Sequence, residues 1–306
     1  MFFSIIIATR NRAHLLSRAL ESVRGQTCRD FELIVVDDGG DDDSRAVLES
    51  FDEPRFAYFW KPHGERNLAR NFGIERSRGD YICFLDSDDY YYSNHLQIAE
   101  ELISSASSPP IVHLGYEIVD TTGYALERFV FPQRTCVKSL LAEKNCLSMN
   151  AIFVRRDVIE KHMFIPSATL VHGEDYCLWL ILSSRYRFVF SPHISSAVVS
   201  HSSRSVNRQD AANFFKSAQE FVSVLRADKV FTTSYGPTAK RILCNRYLQA
   251  ALKLAEQKAP ATQVMTALRH AVSLRATSIL SRRFLAVLTC SFRTRLDELW
   301  SELKRR

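Results

Sequence analysis

The first hundred residues alternate short apolar runs with stretches in which apolar residues recur at helical spacing. The apolar runs are uninterrupted and rich in β-branched residues, which is typical of strands buried on both faces. In the intervening stretches apolar residues lie three or four positions apart, and glycines at 25 and 79 close two of them. Strands are predicted over residues 3–8, 31–36, 55–60 and 81–85, and helices over residues 14–25, 44–51 and 67–76.

This alternation predicts an α/β fold whose mostly parallel sheet is flanked by helices. The helix of each βα unit carries the chain back to the edge where the previous strand began, so successive strands run in the same direction. The carboxyl ends of parallel strands share one edge, and ligands bind beyond that edge. Polar clusters follow three of the predicted strands, at residues 9–12, 37–40 and 86–89. We therefore expect a binding site where these clusters meet.

The rest of the chain has a different pattern. Residues 111–119 and 124–131 predict a hairpin around a Thr-Thr-Gly turn, residues 151–154 and 187–190 predict strands, and residues 174–183 predict a helix. From about residue 210 to the end the spacing is helical, with a break at Gly236 and Pro237. A helical extension should therefore follow the sheet.

Composition is that of a soluble globular protein, with 46% hydrophobic and 24% charged residues among 306. Seven cysteines without a CxxC pair argue against a disulfide framework or structural zinc and favour a reducing compartment. The apolar start lacks a basic leader, and no run reaches about 18 apolar residues. We expect a buried first strand there, with neither a signal peptide nor a membrane-spanning helix.

Charge is unevenly placed along the chain. Residues 201–306 carry 19 Lys/Arg and 7 Asp/Glu, a net charge of +12, and residues 1–200 carry 21 and 27, a net charge of −6. An acidic first part suits a bound cation, and a basic second part suits an anionic surface.

The last 26 residues mix apolar and basic side chains. Such a helix can lie on an anionic membrane or pack its apolar face on protein; we prefer packing and keep membrane contact open. Nucleic-acid binding is disfavoured because no matching motif is present. The residues concerned are Phe284, Leu285, Val287, Leu288, Phe292, Leu296 and Trp300, with Arg282, Arg283, Arg293, Arg295, Lys304, Arg305 and Arg306.

Two acidic turns carry the candidate chemistry. In FLDSDD, residues 84–89, three carboxylates lie within four positions and repel one another unless a cation neutralises them. Mg²⁺ and Mn²⁺ prefer such oxygen ligands and bridge to phosphates. The alternative is a solvated turn that caps the next helix. Asp37 and Asp38 can likewise bind a nucleotide or bond their own backbone, and each turn alone leaves both interpretations open.

Four segments taken together resemble glycosyltransferase family 2. They are SIIIATRNR (4–12), QTCRDFELIVVDDGGDD (26–42), NLARNFGIERSRGDYICFLDSDD (67–89) and HGEDYCLWLIL (172–182). The resemblance covers roughly residues 3–205 and implies a GT-A, Rossmann-like fold. It implies a catalytic domain over residues 1–205, with a nucleotide-sugar half (1–105) and an acceptor half (106–205), before a basic helical extension over 206–306.

The resemblance also implies which residues bind the donor. Thr9 and Asp38 would contact the base, and Arg70 would contact the diphosphate. Asp86 and Ser87 would bind the nucleotide sugar, Asp86 chiefly at the ribose.

Metal and catalytic roles follow from the same resemblance. Asp86 and Asp88 match a DXD pair, with Asp88 the more direct ligand of Mn²⁺ or Mg²⁺. His201 falls where relatives often place a histidine near the metal. Asp175 matches the general base, and Glu174 would help to position the site.

Several positions depart from the family's usual pattern. Gly40 stands where a small polar residue is common, Ala8 where proline is common, and Arg10 where an aromatic residue is common. Arg66 is a rival to Arg70 for the diphosphate. These departures affect the expected base contacts and leave the donor's identity open.

The chemistry explains the residue types. A sugar hydroxyl is a poor nucleophile at neutral pH, so a carboxylate that takes its proton accelerates attack. The leaving diphosphate gains negative charge, which a divalent ion and an arginine stabilise. With the resemblance, this predicts an inverting hexosyl- or N-acetylhexosaminyltransferase that uses a nucleotide-diphosphate donor, with UDP-sugar favoured.

Its expected acceptor is a glycan or lipid-linked sugar in surface polysaccharide synthesis, in the cytoplasm or on the inner face of the cell membrane. The alternatives are a sugar nucleotidyltransferase, whose usual Gly-rich loop is missing, and a non-catalytic nucleotide-sugar binder. The intact set of Asp86, Asp88 and Asp175 argues against the binder.

Overall fold

The computed structural model describes residues 1–202 and 210–291. The chain divides into two compact units. The first comprises Met1–Leu141, Asn145–Ala168 and Leu178–Arg204, and the second comprises Ala142–Lys144, Thr169–Cys177 and Ser205–Arg306. The sheet belongs to the first unit, and the helices of the C-terminal region belong to the second.

The first two hundred residues follow the predicted alternation of strands and helices. They add four elements that the sequence pattern did not predict, at Tyr90–Tyr91, His95–Ser105, Val137–Glu143 and Arg156–Lys161. The elements are β1 (Phe3–Thr9), α1 (Ala13–Arg24), β2 (Phe31–Asp38), α2 (Ser44–Glu49), β3 (Phe56–Lys61), α3 (Arg66–Ile74), β4 (Tyr81–Phe84), β5 (Tyr90–Tyr91), α4 (His95–Ser105), β6 (Ile111–Val119), β7 (Ala125–Phe129), α5 (Val137–Glu143), β8 (Ile152–Arg155), α6 (Arg156–Lys161), α7 (Glu174–Ser183) and β9 (Phe188–Val199).

Within the described residues nine strands form one sheet, in the order β3-β2-β1-β4-β8-β6-β9-β5, with β7 beside β6. Strands β1 to β4 run parallel, with Ile5 opposite Leu33 on one side and Cys83 on the other. Strand β8 is antiparallel to both β4 and β6, and β9 is parallel to β6. The predicted mostly parallel α/β fold is confirmed. Strand β9, however, runs to Val199 and not only over 187–190.

Helices cover both faces of the parallel strands because β1 is apolar on both. Ile5 and Ile7 share a buried core with Leu16 and Leu20 of α1. On the opposite face Ile6 meets α3, where a Cβ added to Gly73 would lie 2.7 Å from Ile6 Cγ2. This close approach needs glycine and fixes α3 against the sheet.

The second unit is helical, with α8 (Ala211–Ala227), α9 (Lys229–Tyr235), α10 (Pro237–Glu256) and α11 (Ala261–Leu274). The side chains of Asp210 and Asp228 cap α8 and α9 by accepting hydrogen bonds of 2.9 Å from backbone amides. Gly236 takes φ +52° and Pro237 begins α10, so the predicted break is where the chain turns. A 3-10 turn (Ala276–Leu280) follows, and residues 282–291 are helical.

The basic end of the chain is only partly described. Leu285 and Leu288 are about half exposed, whereas Val287 is buried. In the described part of the chain, no helix combines the length and apolar character that crossing a bilayer requires. The predicted amphipathic residues Phe292, Arg293, Arg295, Leu296, Trp300, Lys304, Arg305 and Arg306 lie outside the described residues.

Two buried histidines make the stability of the first unit sensitive to acid. Burial lowers the pKa of His95 on α4 and of His113 on β6 to about 3. An unfolded histidine titrates near 6.5, so below that pH the unfolded chain binds more protons than the folded chain. The free energy of unfolding should therefore decrease as the pH is lowered from about 6.5 to 3, by about 1.4 kcal/mol per pH unit for each histidine.

Urea unfolding measured from pH 7 to pH 5 tests this expectation. The variant His113→Gln should lose about half of the slope contributed by histidines, since His95 remains. The exposed His193 provides a matched control, and His193→Gln should keep the wild-type slope. An unchanged slope in His113→Gln would show that His113 is not held neutral by the fold.

Candidate nucleotide and metal site at the carboxyl edge of the sheet

The polar clusters predicted to meet do share one edge of the first unit. Strands β1, β2 and β4 are neighbours and run parallel, so their carboxyl ends coincide. Thr9 ends β1, Asp38 ends β2, and the turn with Asp86 follows β4. The position of the cluster follows from strand direction, as the sequence predicted.

The acidic turn after β4 is neutralised in part by the protein's own cations. Arg70 Nη2 donates to Asp86 Oδ1 over 2.9 Å. Arg12 Nη1 donates to Asp88 Oδ2 over 3.0 Å, and His201 Nε2 lies 3.0 Å from the same oxygen. Charge repulsion within the turn therefore does not by itself require a bound metal.

The third carboxylate of the turn has a structural role. Asp89 is fully buried, and its two oxygens accept hydrogen bonds of 2.7 Å from the Asn150 side chain and the Val199 amide. Through Asp89 the acidic turn is joined to the end of β9. Since His201 follows that strand end by two residues, this connection helps to bring His201 to Asp88.

Helix α3 places Arg70 at the site. The side-chain amides of Asn67 and Asn71 donate to backbone carbonyls of residues 164–167, at 2.6 to 2.8 Å. The Arg70 guanidinium lies 5.5 Å from the centroid of the Phe164 ring, and the residue as a whole is 4% exposed. These contacts hold the guanidinium in one orientation towards Asp86. Arg66, its rival in the sequence, begins the same helix.

Asp38, expected at the base, is fully engaged by protein groups. Its Oδ1 accepts from Lys61 Nζ at 2.6 Å and from the Gly64 amide at 3.0 Å, and its Oδ2 lies 2.8 Å from His63 Nδ1. Burial alone would raise the pKa of Asp38, but the hydrogen bonds from Lys61 and His63 outweigh it and lower that pKa. Asp38 is thus an ionised carboxylate at neutral pH.

His63 is a site residue that the sequence patterns did not single out. It reaches Asp38 because Gly39 takes φ +77°, where a Cβ would come within 2.7 Å of the His63 backbone nitrogen. A usable signal existed in the sequence, since β3 runs parallel to β2 and His63 follows the end of β3. Any residue just beyond a parallel strand falls at this edge.

The two neighbours of Asp38 in the base region behave differently. Asp37 accepts hydrogen bonds of 2.7 Å from the Gly40 amide and the Tyr58 hydroxyl, so it supports the turn. Thr9 is 3% exposed, and within the described residues its hydroxyl has no hydrogen-bond partner. An unpartnered buried hydroxyl has a desolvation cost that a ligand can relieve.

The residues around Asp88 fit a divalent ion in part. Two ligands at right angles on Mg²⁺, each about 2.1 Å away, lie about 3 Å apart. Asp88 Oδ2 and His201 Nε2 have that separation. Among the described residues, no group of three His, Cys, Asp or Glu side chains could hold a metal. The protein thus offers two ligands, and the remaining positions suit phosphate oxygens and water.

Glu174 and Asp175 open helix α7, in the part of the chain that belongs to the second unit. Asp175 Oδ1 accepts a 2.7 Å hydrogen bond from the Tyr176 amide, and Glu174 is 5% exposed. Both carboxylates attract the buried guanidinium of Arg246 on α10, a residue that the sequence patterns did not single out. Ser87, the remaining predicted residue, is 2% exposed in the acidic turn of the first unit.

Comparison with known sequences identifies similar proteins. A family model described as glycosyl transferase family 2 matches residues 4–163. An uncharacterized glycosyltransferase of Rickettsia bellii is 32% identical over 193 residues, which cover 60% of this chain and 26% of that protein. The Escherichia coli UDP-Glc:alpha-D-GlcNAc-diphosphoundecaprenol beta-1,3-glucosyltransferase WfgD is 31% identical over 179 residues, covering 58% of this chain and 68% of WfgD. The chain matches between 26% and 57% of the length of the Rickettsia relatives.

Solved structures share the fold. TarS 1-349 of S. aureus in complex with UDP-GlcNAc aligns with a TM-score of 0.65 and 13% identity, covering 90% of this chain and 91% of TarS. The mannosyltransferase PcManGT from Pyrobaculum calidifontis, in complex with GDP-Man and Mn²⁺, aligns with a TM-score of 0.56 and 15% identity, covering 96% and 79%. At these identities the likeness concerns the fold, and it confirms the expected GT-A architecture.

Proposed function

The chain belongs to glycosyl transferase family 2, and from this premise we propose that it transfers a sugar from a nucleotide-diphosphate donor to a hydroxyl group. The observation that carries the proposal is the arrangement of Asp86 and Asp88, each beside an arginine, with Thr9 and Asp38 at the ends of neighbouring strands. Carboxylates and guanidinium groups side by side suit a ligand that carries both phosphates and a metal.

A UDP-sugar is the proposed donor, with a hexosyl or N-acetylhexosaminyl group. Support comes from WfgD, whose name includes UDP-Glc, and from TarS, which was solved with UDP-GlcNAc. Thr9 and Asp38 would contact the base. Both Asp38 oxygens already have protein partners. A base N–H would therefore share an Asp38 oxygen with Lys61 or His63, or take the place of one of them.

The acidic turn would bind the remainder of the donor. Asp86 and Ser87 would bind the ribose and diphosphate, with Arg70 beside them. Asp88 and His201 would bind Mn²⁺ or Mg²⁺ directly, and Asp86 would add negative charge beside the ion. When bound, such an ion supplies Lewis-acid stabilisation of the charge on the leaving diphosphate. The solved PcManGT complex contains Mn²⁺, which supports a metal in this fold.

The proposed reaction is a single displacement. Asp175 takes the proton of the acceptor hydroxyl while the hydroxyl oxygen forms a bond to the anomeric carbon. The bond from that carbon to the diphosphate oxygen breaks, and its electron pair leaves with the diphosphate. Arg70 and Arg12 offset the charge that develops there. Attack from the face opposite the leaving group inverts the anomeric configuration, and Glu174 would help to hold Asp175.

The proposed acceptor is a lipid-linked sugar or glycan in surface polysaccharide synthesis, at the cytoplasmic face of the membrane. WfgD and a Campylobacter jejuni relative, which is 35% identical over 97 residues, are both named for undecaprenol-linked substrates. We assign catalysis to residues 1–205, with donor and acceptor halves at 1–105 and 106–205. The basic extension over 206–306 is proposed to contact the membrane or to pack on protein.

Calorimetric titration with a panel of nucleotide sugars tests the donor proposal. We expect a UDP-sugar to bind at micromolar concentrations with Mn²⁺ or Mg²⁺, and at least about tenfold more weakly with EDTA, because phosphate and protein share the metal. UDP without sugar and GDP-sugars serve as matched comparisons. If no nucleotide sugar binds with either metal, the proposed function fails; tighter binding of a GDP-sugar would overturn the choice of base.

A further inference from the structure

A buried arginine in the second unit contacts the loop that carries the proposed general base. Arg246 lies in the middle of α10 and is 6% exposed. Its guanidinium lies 4.5 Å from the ring centroid of Phe214 and 5.1 Å from that of Phe221, both on α8. Burial lowers the pKa of Arg246 to about 10, against the attraction of Asp175 and Glu174. The group is still charged at neutral pH.

The loop before α7 is shaped to receive this guanidinium. Arg246 Nη2 donates to the carbonyl oxygen of His172. Gly173 takes φ +80°, and a Cβ there would lie 3.0 Å from Arg246 Nη2. The His172 amide donates to Ser217 Oγ at 3.1 Å, and that hydroxyl donates to the His172 carbonyl, also at 3.1 Å. Residues 172–173 are thus attached to both α8 and α10.

A buried guanidinium is unfavourable unless counter-charges and hydrogen bonds compensate it. Here two carboxylates and a carbonyl supply that compensation, and within the described residues Arg246 Nε has no partner. An apolar side chain would fill the same space between the aromatic rings at lower cost. Packing alone therefore does not explain a charged residue at this position, and its interaction with the Asp175 and Glu174 carboxylates is the better explanation.

We propose that Arg246 is a positioning residue, which fixes the loop at residues 172–173 and thereby orients Asp175 as the proton acceptor of sugar transfer. The proposal rests on the proposed function, in which Asp175 is the base. It makes α10, outside the part of the chain that resembles the family, a component of the catalytic apparatus. A positive charge near a carboxylate favours its ionised form.

Other ionisable groups surround this cluster, and none of the acids among them can replace a cation. They are His172 before α7, Glu174, Tyr176 and Cys177 on α7, Glu220 on α8, Asp228 before α9, and Lys253 further along α10. Burial raises the pKa of Cys177, so its thiol is neutral. Without the Arg246 charge, the negative charges of the neighbouring acids should therefore disfavour the ionised form of Asp175.

Steady-state kinetics of Arg246→Met across pH tests the proposal. We expect kcat to fall by about 30-fold or more, with the donor KM within about threefold, because the donor is bound by other residues. The acid limb of the kcat profile should move to higher pH, because a positive charge near a carboxylate favours its ionised form. Arg246→Lys, which keeps the charge, should restore the position of the limb and part of kcat.

Arg241→Met is the matched control, since Arg241 lies on the same helix and pairs with Glu143 at the surface. It should match wild type in kcat and in pH profile. Gly173→Ala approaches the contact from the loop side and should lower kcat without changing donor affinity. If Arg246→Met does not fold, Arg246→Lys and Gly173→Ala decide the question.

Three results would overturn the positioning role. One is a folded Arg246→Met variant with wild-type kcat. Another is an Arg246→Met variant with a lower melting temperature whose kcat per folded molecule and pH profile are unchanged. The third applies if Arg246→Met cannot be purified: wild-type kcat in both Arg246→Lys and Gly173→Ala. A wild-type protein that transfers no sugar from any donor overturns the proposed function as well, whereas an active wild type with unaffected variants overturns this inference alone.

Discussion

Asp175→Asn should lower kcat for sugar transfer by about 10²- to 10⁴-fold and leave donor affinity within about threefold of wild type. Asparagine has the shape of aspartate, and its Oδ1 can still accept the 2.7 Å hydrogen bond from the Tyr176 amide. It cannot take a proton from the acceptor hydroxyl. Glu174 remains as a counter-charge for Arg246, so the second unit should keep its fold. Transfer rates and calorimetric donor titration measure the two effects separately.

A charge at the start of a helix also stabilises the helix itself, and this effect needs its own control. Asp157 has the same place in α6, second in the helix, and pairs with Arg155 at 2.6 Å on the surface. Asp157→Asn should cost at most about 1 kcal/mol in free energy of unfolding and leave kcat unchanged. Equal kcat losses in the two variants, or full activity in Asp175→Asn, would remove Asp175 from the role of base.

Asp88→Asn should abolish the effect of Mn²⁺ on donor binding and lower kcat by about 10²-fold or more. In wild type the donor should bind more tightly with metal than with EDTA; in the variant both conditions should give the affinity that wild type shows with EDTA. The reason is that the carboxylate beside His201 supplies one of two protein ligands, and a neutral amide is a much poorer one.

Two further variants separate metal binding from general effects of charge and stability. Glu49→Gln removes a surface carboxylate paired with Arg45 and should behave as wild type. Asp89→Asn disturbs hydrogen bonds to Asn150 and Val199, so it should lower the free energy of unfolding by about 1–3 kcal/mol. Because Asp88 is kept and only the support of His201 is weakened, this variant should retain part of the metal effect. A full Mn²⁺ effect in Asp88→Asn would contradict the assignment of Asp88 as a ligand.

Much of the first unit could be predicted because its signals are local. The apolar runs of β1, β2 and β4 are uninterrupted, and the helices between them have apolar residues at helical spacing. Uninterrupted apolar strands that alternate with amphipathic helices predict a parallel sheet with helices on both faces. Strand direction then places Thr9, Asp38 and Asp86 at one edge, before any distance is known.

The second half of the sheet was harder to predict. Strand β8 enters between β4 and β6 in the opposite direction, and β9 extends to Val199 through a polar stretch that carries Ser191, Ser195 and Ser196. These serines are buried within the strand, so the prediction that the strand ends at residue 190, where the polar stretch begins, was wrong. Pairing between distant strands depends on the whole sheet, which a local window of sequence does not contain.

The sequence by itself determined the residue types of the candidate site and the edge of the sheet on which Thr9, Asp38, Asp86 and Asp88 lie. It did so because strand periodicity and strand direction are local properties of the chain. The partner of each carboxylate was decided only by tertiary structure. His201 is 113 residues from Asp88, and Arg246 is 71 residues from Asp175. Contacts over such separations form only when packing of the core has brought the elements together, and side chains then pair according to the space and charge that they find there.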